Sequence, residues 1–112
     1  MKLKITIVKK FSPEEVFGHK VKRTSGELVP LCGLEEREYI VEHQFKMPQD
    51  FCGKAWQDIS RELSILWYGV DYDYTEPYTI YATCTDGIRP VVFKIQPLDD
   101  PKIAKEAEDS KE

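Results

Sequence analysis

Cys32, Cys52, Cys84 and His43 are the side chains of this sequence best suited to chemistry. Three thiols and an imidazole make a Cys3His set, a donor combination that suits zinc or iron. Such a centre would depend wholly on convergence in the fold. No C-x2-C or H-x3-H pair supplies two ligands from one turn. Cys52 with His43 would also be the minimum for nucleophilic catalysis, a thiolate beside an imidazole. The sequence marks no third orienting group and no oxyanion hole. It contains no P-loop, no G-x-G-x-x-G and no G-x-S-x-G elbow.

Each of these residues also has a plainer role. Cys84 ends an alternating apolar run, where a cysteine serves as a small buried hydrophobe. Cys52 precedes a long amphipathic stretch. The positive end of a helix would favour its thiolate there, yet it fits equally as the first member of a packed stripe. His43 falls between Val41 and Phe45 on the inward face of a strand pattern, the place of a core histidine with one satisfied nitrogen. Cys32 lies in a long polar stretch that assigns it no role.

"CTDGIR", residues 84–89, has the form of a hairpin corner. Asp86-Gly87 between two alternating runs predicts a turn, since glycine tolerates positive φ and aspartate bonds its own backbone. Pro90 limits the next strand to edge pairing or a bulge at its start. A turn requires neither Cys84 nor Arg89. Arg89 either braces the corner against Asp86 or recognises an anionic ligand, with Trp56 as an aromatic wall.

The elements that must position these groups are read from hydrophobic period. Residues 2–9 alternate, with Leu3, Ile5 and Ile7 on one face and Lys2, Lys4, Thr6 and Val8 on the other. Ser12-Pro13-Glu14-Glu15 is a capping box with proline at the first helical position, and Gly18 is placed to end that short helix. Residues 18–36 are polar and irregular, a long loop of the kind that serves as lid, binding loop or interface arm. A second strand spans about 37–45, with Tyr39, Val41, His43 and Phe45 sharing a face. A helix runs from about Gly53 to Tyr68, its stripe formed by Trp56, Ile59, Leu63, Leu66 and Trp67. "VDYDYTEP" is an acidic, aromatic loop, whose Asp71 and Asp73 have the look of solvated acids. Strands follow at about 78–84 and 90–96. The expected architecture is a two-layer α+β domain over residues 1–98, an antiparallel sheet of about four strands with the long helix on one face. Residues 99–112 form an acidic tail, frayed or weakly helical.

Composition bounds the rest. The chain has 112 residues, 41% hydrophobic and 32% charged, which fits one packed domain. Its three widely spaced cysteines argue against a disulfide framework. The first residues show strand alternation in place of a leader's apolar core, and no apolar run spans a bilayer, so a cytoplasmic protein without membrane contact is expected. Net charge is −4, basic over residues 1–25 and acidic thereafter. The early lysines alternate with apolar residues as a solvated strand face does, and nucleic-acid binding is not expected. Val8, Ile40 and Val92 on the outer sheet face leave room for self-association as a homo-oligomer.

"DFCGKAWQDI" followed by "CTDGIRPVVFKI" resembles a family of small, functionally uncharacterised bacterial and archaeal proteins. That family shows an FC-x-x-AW-x-D-I helix start and a closing C-T-D-G-x-R-P-V-x-F-K-I. The resemblance covers about residues 1–98. It points to Cys52, Ala55, Trp56 and Asp58, and to Cys84, Asp86, Gly87, Arg89 and Pro90, with Cys32 matching a further cysteine. Where the family pattern shows paired cysteines before T-D-G, this chain has Thr83-Cys84. Where it shows Gly-Gly after the helix, this chain has Tyr68-Gly69. The family brings no established activity.

The first expectation is a non-enzymatic binding or interaction module, with a ligand or partner site near Cys52, Trp56, Cys84, Asp86 and Arg89. A small anionic ligand would suit that site. The alternative is a cysteine-based metal-binding or thiol-redox protein using Cys32, Cys52 and Cys84, with His43 as fourth ligand. An enzyme with Cys52 as nucleophile comes third. The sequence names no cofactor.

Overall fold

The structure is a computed structural model that describes residues 2–98. The acidic tail at 99–112 lies outside the described residues. Element order is β1 (Leu3–Lys10), α1 (Pro13–Phe17), β2 (Tyr39–Val41), α2 (Gly53–Trp67), β3 (Ile80–Thr83) and β4 (Val91–Pro97). The four strands form one antiparallel sheet in the order β2-β1-β4-β3. The helix α2 lies on one face, so the chain is the two-layer α+β domain that its periodicities predict.

Alternation sets which face is buried. Leu3 and Ile5 of β1, Tyr39 and Val41 of β2, Ile80 of β3, and Val91, Phe93 and Ile95 of β4 all point into the layer beneath the helix. Helical spacing supplies Ala55, Ile59, Leu63 and Leu66 from above. The opposite sheet face is laced with charge. Lys4 lies 3.7 Å from Glu38, and Lys94 lies 3.1 Å from Glu76. Val8, outward by alternation, is the unpaired extra residue of a bulge between Ile7 and Lys9, and it is exposed.

The helix ends follow their signals. Ser12 Oγ accepts from the Glu15 N–H while Glu15 accepts from the Ser12 N–H, a complete capping box, and Gly18 closes α1 in the left-handed region at φ 79°. After α2, Gly69 N–H donates to the Leu66 carbonyl and Val70 N–H to that of Ile65, again with a left-handed glycine.

Three expectations need correction. The second strand stops at Val41 and does not reach residue 45. Lys46 N–H bonds the His43 carbonyl and Phe45 takes φ 63°, so the chain turns there and its alternation ends. His43 is therefore exposed outside the sheet–helix layer, and the Phe45 ring is 75% exposed. The third strand starts at Ile80 because Tyr78 sits at φ 52°, which interrupts an extended chain. The 84–90 corner is not a glycine turn: Gly87 stays out of the left-handed region, and Asp86 makes the bend with its own side chain.

Candidate functional site

The helix α2 has two flanks that meet different surroundings. One carries Trp56, Ser60, Ser64 and Trp67 and faces the β1–β2 side. The other carries Asp58, Arg61 and Glu62 and faces the β3 side. This division separates residues that the sequence placed together.

On the β3 side, Asp58 accepts from the Thr85 N–H at 2.8 Å and from its hydroxyl, and Lys54 Nζ lies 3.5 Å from the same carboxylate. These bonds fasten the first turns of α2 to the 84–90 corner. Within the corner, Asp86 Oδ1 accepts from the N–H groups of Ile88 and Arg89. Cys84 Sγ accepts from the Val91 N–H at 3.3 Å. Arg89 Nε lies 3.6 Å from Asp86 Oδ2, and its Nη1 donates to the carbonyls of Leu31 and Pro30 at 3.2 and 3.4 Å. Lys10 Nζ donates to the Cys32 carbonyl at 2.9 Å, which pins the same stretch from β1.

The corner is thus a clasp that joins the α2 start, the β3–β4 connection and the end of the 18–36 loop. The anion facing Arg89 is Asp86 of the same chain. Trp56 lies across the helix, with its ring 6.3 Å from Phe51, and does not wall the corner. Cys52 is the N-cap residue of α2 but makes no side-chain cap bond. Cys32, Cys52 and Cys84 are free thiols, each half-buried against the edge of the apolar core. Among the described residues, no group of three or more His, Cys, Asp or Glu side chains is arranged to hold a metal ion. His43 lines a broad surface hollow with Ile40, Glu42, Lys46 and Met47, so the Cys3His set is not assembled.

The clasp acids are tuned by their donors. The Thr85 N–H holds Asp58 below the usual aspartate value, and the Ile88 N–H does the same for Asp86. Hydrogen bonds from Tyr81 and Lys94 lower Glu76, and the bond from Lys9 takes Glu15 down to about 2. A depressed carboxyl binds its proton less readily folded than unfolded. Its contribution is therefore complete above the unfolded value and is lost as pH falls through the folded one. Stability of the full chain should hold down to about pH 4–5 and decline below that. Asp58→Asn should flatten that decline. Urea midpoints between pH 2 and 6 for the two proteins would show it, and parallel curves would refute it.

Two concavities flank α2. The first is a narrow apolar groove of about 20 Å³ between Trp56, Leu63 and Trp67 on the helix and Gln44 and Phe45 beyond β2. The second is a cleft of about 330 Å³, partly open to solvent, at the free edge of β3. Its walls are Arg61 and Glu62 of α2, Tyr72, Tyr74 and Thr75 of the following loop, and Thr79, Ile80 and Tyr81. Asp71 shapes that loop by accepting from the N–H groups of Asp73 and Tyr78, both at 2.9 Å. Asp73 and Tyr78 both take left-handed backbone, at φ 48° and 52°. Strained backbone of this kind persists where its surroundings impose it, commonly at ligand sites.

Sequence reasoning passed over Glu62 and these tyrosines. The available signal was the run "VDYDYTEP", with three acids and two tyrosines and no basic residue. Comparison of the chain with family models, curated proteins and solved structures found no significant match. No helix among the described residues is long and apolar enough to cross a membrane.

Proposed function

We propose that this protein is a non-enzymatic binding module. Its Cys52/Cys84/Arg89 corner is the clasp that holds the scaffold, and its receptor surface is the cleft at the edge of β3. The observation that carries this reading is the cleft itself. At about 330 Å³ it stands at the lower end of the size range of ligand pockets, it mixes aromatic walls with a few polar groups, and a strained loop forms one wall. The clasp offers less to a ligand, because the polar groups of Asp58, Asp86 and Arg89 are spent on one another and on backbone. Three free thiols suit a reducing compartment, in keeping with a cytoplasmic protein.

Amide shift mapping of the full chain against a library of aromatic, anionic and cationic fragments tests this reading. The expected result is binders whose shifts cluster on Glu62, Tyr72, Tyr74 and Thr79–Tyr81. Shifts that gather on Cys52, Cys84 and Arg89 would return the site to the clasp. Shifts on Trp56 and Trp67 would place it in the narrow groove.

A further inference from the structure

The 18–36 loop carries a hairpin arm. Val29 N–H donates to the Val21 carbonyl at 3.0 Å and Arg23 N–H to that of Glu27 at 2.7 Å, which sets Lys22 opposite Leu28. Gly26 closes the turn at φ 93°, with its N–H on the Arg23 carbonyl. Residues 22–28 are all exposed, while Val21 and Val29 at the base are half-buried. The clasp mounts the arm at its far end. Arg89 Nη1 holds the Pro30 and Leu31 carbonyls, and Lys10 Nζ that of Cys32.

The arm gathers positive charge that the rest of the fold leaves unused. The chain is net −4, and most of its cations find carboxylates. Lys4, Lys9, Lys54, Lys94 and every arginine but Arg23 lie within 3.7 Å of one. Lys20, Lys22 and Arg23 pair with none among the described residues, although Glu27 stands across from Arg23. Residues 18–26 contain no acid. We infer that this arm enters the major groove of duplex DNA, with Lys20 and Lys22 on the phosphates and Arg23 at the base edges. The arm shares no residue with the cleft at the edge of β3, and its role does not depend on that cleft being a receptor surface.

Shape favours a groove. Two strands about 4.8 Å apart and about 10 Å long suit a major groove about 12 Å wide and about 8.5 Å deep. The deep, narrow major groove of A-form RNA excludes such a ribbon. Lys22 and Leu28 form the pair that exchanges no backbone bond, so their N–H groups point outward along the two edges of the arm. There they can donate to phosphates. At the turn, Arg23, Thr24 and Ser25 carry the guanidinium and hydroxyls that read base edges.

An anionic membrane is the competing partner for exposed cations. An element seated in lipid buries apolar side chains among the headgroups, whereas the tip of this arm is Arg23-Thr24-Ser25-Gly26. The lysines of β1, whose alternation speaks against nucleic acid, take no part. Lys4 and Lys9 are paired with glutamates, and Lys10 holds the Cys32 carbonyl.

Fluorescence anisotropy of the full chain with a labelled mixed-sequence DNA duplex tests the inference, together with amide shifts. The duplex should bind with shifts gathered on residues 20–28. Log affinity should fall against log salt with a slope of about −2, for two phosphates. Lys22→Ala should weaken binding severalfold and cut the slope to about −1. Lys22 is exposed, so the variant should keep its fold. Lys46→Ala removes another exposed cation, beyond β2, and should change neither affinity nor slope. Equal losses from the two variants would show general charge attraction and overturn the arm. The matched RNA duplex and the single strand should bind at least about tenfold more weakly, and parity with either overturns the groove. Capture by phosphatidylserine vesicles without binding to the duplex overturns DNA in favour of a membrane. No binding of the duplex at low salt overturns the inference and leaves the reading of the cleft untouched.

Discussion

Phe51→Ala should cost about 3–5 kcal/mol of stability, the range for removing a buried aromatic side chain. Phe51 is 6% exposed and stands at the centre of an aromatic cluster. Its ring meets Tyr39 edge-on at 5.0 Å, Phe93 at 5.5 Å and Trp56 at 6.3 Å. Phe51 also precedes the N-cap Cys52, and Trp56 falls at the fourth helical position, so the pair forms a hydrophobic staple. That staple fixes the angle at which the chain enters α2. Because Cys52 supplies no side-chain cap bond, the start of the helix depends on this packing and on the Asp58–Thr85 bonds. Phe51→Leu should keep most of the volume and lose less than half as much. Urea unfolding of the two variants measures the difference. A loss below about 1.5 kcal/mol for alanine would show that the neighbours refill the space and that the ring is not the anchor.

Local signals account for what the sequence disclosed. Leu3/Ile5 and Val91/Phe93/Ile95 alternate cleanly and became the two central strands. Ser12 with Glu15, and Gly69 after Trp67, carry their own stop and start chemistry. Where the pattern continued past the structure, a short-range turn won over alternation. The run Val41–His43–Phe45 is apolar by period, but β2 is an edge strand paired over three residues, too few to hold the chain extended. The two motifs of the clasp were visible as a pair. The chemistry assigned to Arg89 differed, because its partners Pro30 and Leu31 are backbone carbonyls 58 or more residues away. The cleft was not legible at all. Glu62 beside Arg61 on a helix has the pattern of a solvated pair, yet the fold buries one of its oxygens.

Arg89→Ala should cost about 1–2 kcal/mol, since charge-assisted hydrogen bonds that are partly exposed fall at the low end of their range. The guanidinium spans three acceptors on two segments, Asp86 on its own turn and the Leu31 and Pro30 carbonyls on the loop. A planar fork with fixed N–H directions can do this, whereas an ammonium on a flexible stem meets one acceptor at a time. Arg89→Lys should therefore recover little of the loss. Releasing the clasp frees the 18–36 loop at its far end, so trypsin should cut the variant faster at the exposed Lys20, Lys22 and Arg23. An anion site would behave otherwise. Phosphate or sulfate would then raise the melting temperature of the wild-type chain and not that of Arg89→Ala, and loop cleavage would be unchanged. A clasp predicts the reverse on both counts, because Asp86 already occupies the face of the guanidinium where an anion would bind.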